Sequence, residues 1–193
     1  SGVTAGIAAT NKTKDKLTSA DCSKIARFVR LCDAYSIPVI TVADTEGFDL
    51  HGADMVRAGA ALAGAYAEAS CAKIALVSGK ACGMAYIAFA GRNVAADAVY
   101  ALPEAVIAPM DPVSAAEFLY HDKLADDLAA ARAQIAKEYA ENEGSAFAAA
   151  AKGAADEVVT AENVRAAVAS VLDVTAGKRL NKRLPKKHNI LPL

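Results

Sequence analysis

Short apolar runs alternate with longer amphipathic stretches along most of the chain. Residues 38–43 and 74–77 are apolar runs of strand length, and glycine and polar residues follow each of them. Residues 20–35 instead place their larger apolar side chains on one face of a helix. The same pattern predicts further strands at 1–11, 98–102, 105–108 and 155–159, and further helices at 54–70, 112–120, 124–141, 145–152 and 161–172.

The regular alternation of strands with helices predicts an α/β fold. The stretch Thr18-Ser19-Ala20-Asp21 offers N-cap candidates for the first long helix, because short polar side chains there accept hydrogen bonds from free backbone amides. In α/β folds, ligands bind near the loops at the carboxyl ends of the strands. The loops 44–48 and 78–85 follow two consecutive predicted strands. We therefore expect these two loops to line a shared cleft.

Residues 73–90 are typical of a strand, a tight loop and a helix in succession. The loop is predicted at 78–80, and the helix begins at Gly83 among small apolar residues. The first amides of such a helix lack intrahelical partners and lie at the positive end of its dipole. No strong nucleophile with a base nearby in sequence accompanies them. We interpret Gly83, Met84 and Ala85 as a backbone oxyanion hole for an enolate or ureido anion, with a glycine used for close helix packing as the alternative.

Composition and charge narrow the class of protein. With 193 residues, 54% of them hydrophobic and 22% charged, the chain can form a sizeable core, which we assign to residues 1–175, ahead of a basic tail at 176–193. A net charge of −1 gives no electrostatic reason to expect nucleic acid or an anionic membrane surface as a partner. Charged residues interrupt every apolar stretch, so no membrane span is expected.

The cysteines indicate a reducing compartment. Cys22, Cys32, Cys71 and Cys82 form neither a CxxC pair nor a zinc-binding pattern, so no metal site is expected. We also expect no signal peptide. The cytoplasm is the simplest location that follows from these features.

Several segments occur in an order that points to a known family. They are Lys24-Ile-Ala-Arg-Phe-Val-Arg-Leu-Cys-Asp33, Ile37-Pro-Val-Ile-Thr-Val-Ala-Asp44 with Gly47-Phe48, Lys80-Ala-Cys-Gly-Met-Ala-Tyr86, and the stretches 100–110, 153–159 and 185–193. Over nearly the whole chain, this order resembles the C-terminal half of the carboxyltransferase subunit of biotin-dependent acyl-CoA carboxylases and decarboxylases. The resemblance implies a crotonase-like fold of repeated β-β-α units.

The resemblance also implies an activity, which is carboxyl transfer between carboxybiotin and the α-carbon of a short-chain acyl-CoA. The family's Gly-Gly-Ala-Tyr motif corresponds to Gly83-Met84-Ala85-Tyr86, so the amides of Met84 and Ala85 would face the ureido oxygen of biotin. Ile87 stands where family members vary with the acyl group that they accept. The substrate-binding candidates are therefore Gly47, Phe48, Tyr86 and Ile87.

Partners follow from the same resemblance. Biotin would be carried by a separate biotin carboxyl carrier protein, since the chain has no Met-Lys-Met biotinylation motif. The N-terminal half of the carboxyltransferase, which holds most of the CoA contacts in the family, would complete the site within a homo-oligomer. Two departures from the family concern the site: Met84 replaces the usual Gly, and Thr45-Glu46 replaces Val-Pro. The Met84 amide keeps its position only if the backbone φ there is negative.

Two other classes of function stay open. The chain could be a non-catalytic assembly or carrier-docking domain with the same fold. It could also be a crotonase-type hydratase or isomerase, which would need a positioned carboxylate in the cleft. Asp44 and Glu46 are the candidate acid-base pair for that chemistry. The alternative is that Asp44 accepts backbone amides of its loop and that Glu46 is solvated.

Three further polar features, Cys82, His51 and the basic run 178–187, each have a functional and a structural interpretation. Cys82 lies near the helix start, where its thiol pKa would be lowered unless the side chain only packs. His51 is either an acid-base group of the cleft or a surface histidine, whereas solvent contacts after a helix account for His121. His188 lies in the tail. The basic run 178–187 would contact CoA phosphates or a carrier protein, unless it is a solvated tail.

Overall fold

The computed structural model describes residues 2–11, 15–49, 51, 53–123 and 128–178. Its strands are β1 Gly6–Ala9, β2 Lys16–Leu17, β3 Val39–Thr45, β4 Gly47–Phe48, β5 Lys73–Cys82, β6 Ala98–Ala101, β7 Val106–Ala108 and β8 Glu157–Val158. Its α-helices are α1 Ser19–Ala34, α2 Ala53–Glu68, α3 Met84–Ala88, α4 Pro112–Phe118, α5 Leu128–Asn142, α6 Ala146–Ala151 and α7 Val164–Thr175. Short 3-10 helices span Arg92–Val94 and His121–Lys123.

The named strands pair in parallel. The main sheet has the order β1-β3-β5-β6-β8, and β7 pairs with the second half of β5. Strands β2 and β4 form a separate two-stranded sheet. In chain order, a main-sheet strand, a short strand and a helix recur as β1-β2-α1, β3-β4-α2 and β6-β7-α4. The predicted α/β class and its repeated β-β-α units are thus present.

Helix α1 begins at the predicted cap. The Thr18 hydroxyl accepts a hydrogen bond from the Asp21 N–H at 3.4 Å, and the Asp21 carboxylate accepts one from the Thr18 N–H at 3.0 Å. This reciprocal capping box satisfies amides that lack intrahelical partners. The buried face of α1 consists of Cys22, Ala26, Val29 and Cys32.

Helices cover both faces of the main sheet. Helices α1 and α2 contribute to the larger core cluster together with Ala75 and Val77 of β5. On the other side, Ile74 and Leu76 belong to a second cluster, against which α7 packs. Because successive strand residues point to opposite faces, the unbroken apolar run 74–77 reflects a strand that is buried on both sides.

The prediction of a tight loop at 78–80 was wrong, because β5 continues through these residues. Lys80 pairs with Val106, so the second half of β5 exchanges its neighbour β6 for β7. Gly79 permits a close approach here, since a Cβ atom at that position would collide with the carboxylate of Asp44. The glycine and polar residues therefore mark a change of strand partner, and the turn comes later, at Gly83.

The other predicted elements occur within a few residues of their expected bounds. The strand predicted at 1–11 is shorter, and the predicted loop 44–48 contains the end of β3 and all of β4. The helix predicted at 124–141 is observed as α5, and residues 124–127 lie outside the described part of the chain.

The basic tail is described only at its start. Residues 179–193, with His188 and most of the basic run, lie outside the described residues. Lys178 was expected to be exposed, but its side chain is only 18% exposed and its Nζ lies 2.9 Å from the Asp97 carboxylate. This ammonium also donates to the backbone carbonyl of Cys71 at 3.2 Å. The expectation was wrong for Lys178 because a buried carbonyl and a carboxylate lie within its reach.

Candidate active site

The turn after β5 depends on Gly83. Its φ of +57° and ψ of −128° belong to a backbone region that glycine adopts and that L side chains strongly disfavour. A Cβ atom on Gly83 would meet nothing within 4 Å, so the conformation rather than crowding requires glycine. The Gly83 N–H donates to the carbonyl of Ala108 at 3.1 Å, and its own carbonyl accepts from the Ile87 N–H at 3.2 Å. The turn is thereby anchored to β7 on one side and to α3 on the other.

The next two amides begin helix α3. Within the described residues, the backbone N–H groups of Met84 and Ala85 have no hydrogen-bond acceptor in the protein. Met84 is not among the described residues with positive φ, so the replacement of the family's glycine is tolerated at this position. Its side chain is 39% exposed, whereas Ala85 is fully buried. Two neighbouring N–H donors are thus available beside a half-exposed side chain.

Strand β4 lies beside this turn. A Cβ atom on Gly47 would stand 3.3 Å from the carbonyl oxygen of Cys82, the residue that precedes Gly83. The ring of Phe48 is buried and contacts Gly59 of α2, so this side chain belongs to the core. The structure therefore brings the two predicted loops together, and only the backbone of Phe48 is left to take part in a site.

The remaining substrate-binding candidates lie on α3. Tyr86 is partly buried and packs against the larger core cluster. Ile87 is 46% exposed. Of the four candidates, Ile87 therefore presents the most accessible side chain at this end of the sheet.

Charged residues connect the two loops. Lys80 Nζ lies 2.7 Å from Glu46 Oε1, and the backbone N–H of Lys80 donates to Asp44 Oδ1 at 2.9 Å. The hydrogen bond that Lys80 donates to the Glu46 carboxylate is the main reason that the pKa of Lys80 is raised. Asp44 accepts a backbone amide as expected, and Glu46, whose side chain is 33% exposed, also pairs with Lys80. The sequence did contain a signal for the Glu46–Lys80 pair, because the two residues carry opposite charges and follow neighbouring predicted strands. The signal was missed because residues 78–80 were predicted as a loop rather than as part of β5.

The thiol of Cys82 is buried rather than activated. Burial raises its pKa to about 11, with the negative charge of Asp111 as the next cause. A raised pKa keeps the side chain as the neutral thiol, which favours the packing interpretation over a nucleophile. His51 is exposed, and its Nε2 lies 3.9 Å from Asp49. His121 is likewise exposed, in the 3-10 helix after α4.

Two classes of feature are missing from the described part of the chain. No group of three or more His, Cys, Asp or Glu side chains there is arranged to hold a metal ion. None of the helices described is both long and apolar enough to cross a bilayer.

A sizeable cleft lies away from the turn at Gly83. It has a volume of about 560 Å³ and runs between the edge strand β1 and helix α1. Ile7, Phe28 and Leu31 form part of its apolar lining, and Lys24 and Arg27 form part of its polar lining. The sequence analysis did not predict this cleft, because a pattern of buried positions does not reveal which edge of a sheet stays open.

Comparison with known proteins decides the family. The carboxyl transferase domain family matches residues 1–191. The chain belongs to this carboxyl transferase family. The resemblance noted from the sequence is therefore confirmed across almost the full length of the chain.

Carboxyl transferase relatives share more than a third of their aligned residues with this chain. The methylmalonyl-CoA carboxyltransferase 12S subunit of Propionibacterium freudenreichii subsp. shermanii is 39% identical over 88% of this chain, which corresponds to 33% of the relative. The methylmalonyl-CoA decarboxylase subunit alpha of Veillonella parvula is 38% identical over the same two fractions. The chain thus spans about a third of the length of these relatives.

Solved carboxyl transferase structures confirm the fold. A crystal structure of transcarboxylase 12S with methylmalonyl-coenzyme A and methylmalonic acid bound superimposes with a TM-score of 0.88 at 36% identity. It covers 98% of this chain and 38% of the 12S chain. The beta subunit of Pseudomonas aeruginosa geranyl-CoA carboxylase, at 23% identity, shares the fold with a TM-score of 0.77 over 98% of this chain and 37% of that chain. The predicted crotonase-like architecture is therefore confirmed.

Proposed function

We propose that this chain is the C-terminal domain of a biotin-dependent acyl-CoA carboxyltransferase. The reaction is carboxyl transfer between carboxybiotin and the α-carbon of a short-chain acyl-CoA, of the acetyl-, propionyl- or methylmalonyl-CoA type. The observation that carries the proposal is the pair of consecutive N–H donors, Met84 and Ala85, directly after the glycine turn. This pair occurs in a chain of the carboxyl transferase family, at the positions that the resemblance matches to the family's Gly-Gly-Ala-Tyr motif.

The site suits an anion that needs backbone donors rather than a nucleophile. When bound, carboxybiotin supplies the activated carboxyl group. The N–H groups of Met84 and Ala85 would donate to the ureido oxygen of the bound group and would stabilise negative charge there. The buried Ala85 side chain holds its amide against the core, and the open space around Gly83 leaves room for an approaching ring. Gly47, Tyr86 and Ile87 surround this position as substrate-binding residues.

The proposed enzyme needs further polypeptide to be complete. Since the chain spans about a third of its relatives, the acyl-CoA site is assigned mainly to an N-terminal carboxyltransferase half. Biotin is delivered on a separate carrier protein, and the subunits form a homo-oligomer. The transcarboxylase 12S structure, which is described as a hexamer assembly, supports the last point. The four free, buried cysteines support the cytoplasm as the location.

A matched pair of glycine variants tests the oxyanion hole. Gly83 and Gly153 both have positive φ, at +57° and +74°, and a Cβ atom on either meets nothing within 4 Å. Gly83→Ala and Gly153→Ala each place an alanine at a positive φ, but only the first lies beside the proposed donors. Both are assayed for carboxyl exchange in a complex of the chain, a matching N-terminal half and a biotinylated carrier.

We expect Gly83→Ala to reduce exchange by about 100-fold, the usual effect of losing an oxyanion donor, and Gly153→Ala to stay within about twofold of the parent. Equal activity of the two variants would overturn the proposed oxyanion hole. Exchange that survives Gly83→Ala but is lost when exposed side chains are changed would favour the carrier-docking alternative.

A further inference from the structure

Glu46 and Lys80 join the two loops that make up the candidate site. Their side-chain atoms Oε1 and Nζ are 2.7 Å apart, although the residues are separated by 34 positions in sequence. The side chains are 33% and 46% exposed, respectively. An ion pair in such surroundings contributes little when both partners are free to move. The contribution is larger when the backbone already holds both partners, because less side-chain and backbone entropy is lost on pairing.

Both partners are held in this way. The backbone N–H of Glu46 donates to the carbonyl of Asp15 at 2.8 Å. The backbone N–H of Lys80 donates to the Asp44 carboxylate at 2.9 Å, and Lys80 pairs with Val106 of β7. The ion pair therefore connects two fixed backbone segments.

The pair stands next to a close backbone approach. Gly47 follows Glu46 directly, and Gly47 lies against the carbonyl of Cys82, two residues beyond Lys80. Gly83 follows Cys82 in the chain, and its N–H donates to the backbone carbonyl of Ala108. The segments of Glu46 and Lys80 therefore meet within three residues of the turn at Gly83.

We propose that the Glu46–Lys80 ion pair positions the Met84 and Ala85 amides, by fixing the distance between the β3–β4 connection and the end of β5. Neither side chain needs to touch the substrate, so both are positioning residues. The functional part of this inference rests on the proposed role of the two amides. The conformational part can be measured without any reaction.

Charge reversal tests the pair directly. Glu46→Lys and Lys80→Glu each place two like charges together, whereas the double variant restores an ion pair with the charges exchanged. In the isotope-labelled full chain, we expect each single variant to shift the amide resonances of residues 83–86. We also expect it to speed hydrogen exchange of the hydrogen-bonded amides of Gly83 and Ile87 by about fivefold, the scale of a strong surface ion pair. We expect the double variant to return these signals close to those of the parent.

The same variants are assayed in the reconstituted complex. We expect kcat for carboxyl exchange to fall about fivefold in each single variant and to recover to within about twofold in the double variant, while KM for acyl-CoA is unchanged. Glu141→Lys is the control, because Glu141 pairs with Lys137 at 3.9 Å on the exposed surface of α5. Glu141→Lys makes the same charge change as Glu46→Lys, but on α5 rather than on either of the two loops of the candidate site.

Three results would contradict the positioning role. Unchanged resonances at residues 83–86 in both single variants would overturn it whatever the activity. Single variants whose effects are not reversed in the double variant would overturn it too, and so would an equal effect of Glu141→Lys. Shifted and rescued resonances without any change in exchange would keep the conformational link and count instead against the proposed function of the amides.

Discussion

The carboxylate of Asp44 accepts a hydrogen bond from the backbone N–H of Lys80 at 2.9 Å and occupies the space that a side chain on Gly79 would fill. This contact connects the end of β3 to the middle of β5, where β5 exchanges β6 for β7 as its neighbour. The strand can pass the carboxylate only because residue 79 has no Cβ atom.

Gly79→Ala is therefore expected to destabilise the protein. The added methyl group must displace the Asp44 carboxylate, and overpacking of this kind costs about 1–3 kcal/mol in the free energy of unfolding. Gly64→Ala is the control, since Gly64 lies inside α2 with nothing within 4 Å of its Cβ position. That control should gain about 0.5–1 kcal/mol, because alanine favours a helix interior. Urea unfolding of both variants measures the difference, and equal stabilities would show that the carboxylate does not occupy this space.

Thr41 and Tyr66 share a buried hydrogen bond of 2.7 Å between their hydroxyl groups. Either single variant, Thr41→Val or Tyr66→Phe, leaves the other hydroxyl buried without its partner and should cost about 1–3 kcal/mol. The double variant should cost less than the sum of the two, since no hydroxyl is then left unpaired. A double-mutant cycle by urea unfolding measures this coupling. Tyr35→Phe is the control, because Tyr35 is 72% exposed. Strict additivity would contradict a shared hydrogen bond.

The cysteines predict a loss of stability at alkaline pH. Burial raises the pKa of Cys71 and Cys82 to about 11 and that of Cys22 to about 12. Each raised pKa means that the folded state disfavours the thiolate, so the stabilisation is complete below the pKa of the unfolded thiol, about 8.5. It is lost progressively as the pH rises from there towards the folded pKa values.

Two measurements check this pH dependence. The free energy of unfolding should decrease between about pH 8.5 and pH 11, and the slope should become smaller in a Cys82→Ala variant. At about pH 8, a thiol reagent should react with the folded chain far more slowly than with the urea-unfolded chain. Rapid labelling of Cys82 in the folded chain would contradict both its burial and its raised pKa.

Ile87 is expected to influence the choice of acyl group. Its side chain is 46% exposed on α3, beside the proposed donors. In the reconstituted complex, Ile87→Ala should change the ratio of kcat/KM for propionyl-CoA over acetyl-CoA by about tenfold, the usual scale for altering a pocket by a few carbon atoms. Val56→Ala is the control, since Val56 is 74% exposed on α2. An unchanged ratio would remove Ile87 from the acyl pocket.

Much of the fold could be predicted because the local sequence patterns matched the positions that the structure buries. The Thr18–Asp21 cap, the apolar face of α1 and the run 74–77 all depend on residues that are close together in sequence. The glycine-methionine-alanine order at 83–85 likewise placed the start of the helix correctly. The misplaced loop at 78–80 shows the limit of local signals, since glycine next to polar residues is equally compatible with a turn and with a strand that passes close to another chain segment.

The sequence by itself determined the order of the main strands and helices, the family and the start of the helix at Gly83, because periodicity, capping and motif order depend on residues that are close together in the chain. Only the tertiary structure decided which distant residues contact these elements. It placed the Glu46 carboxylate on Lys80, buried the ring of Phe48 against Gly59 and left the edge of β1 open. These contacts join residues that are far apart in the chain, and their geometry follows from how the strands pair rather than from any one segment.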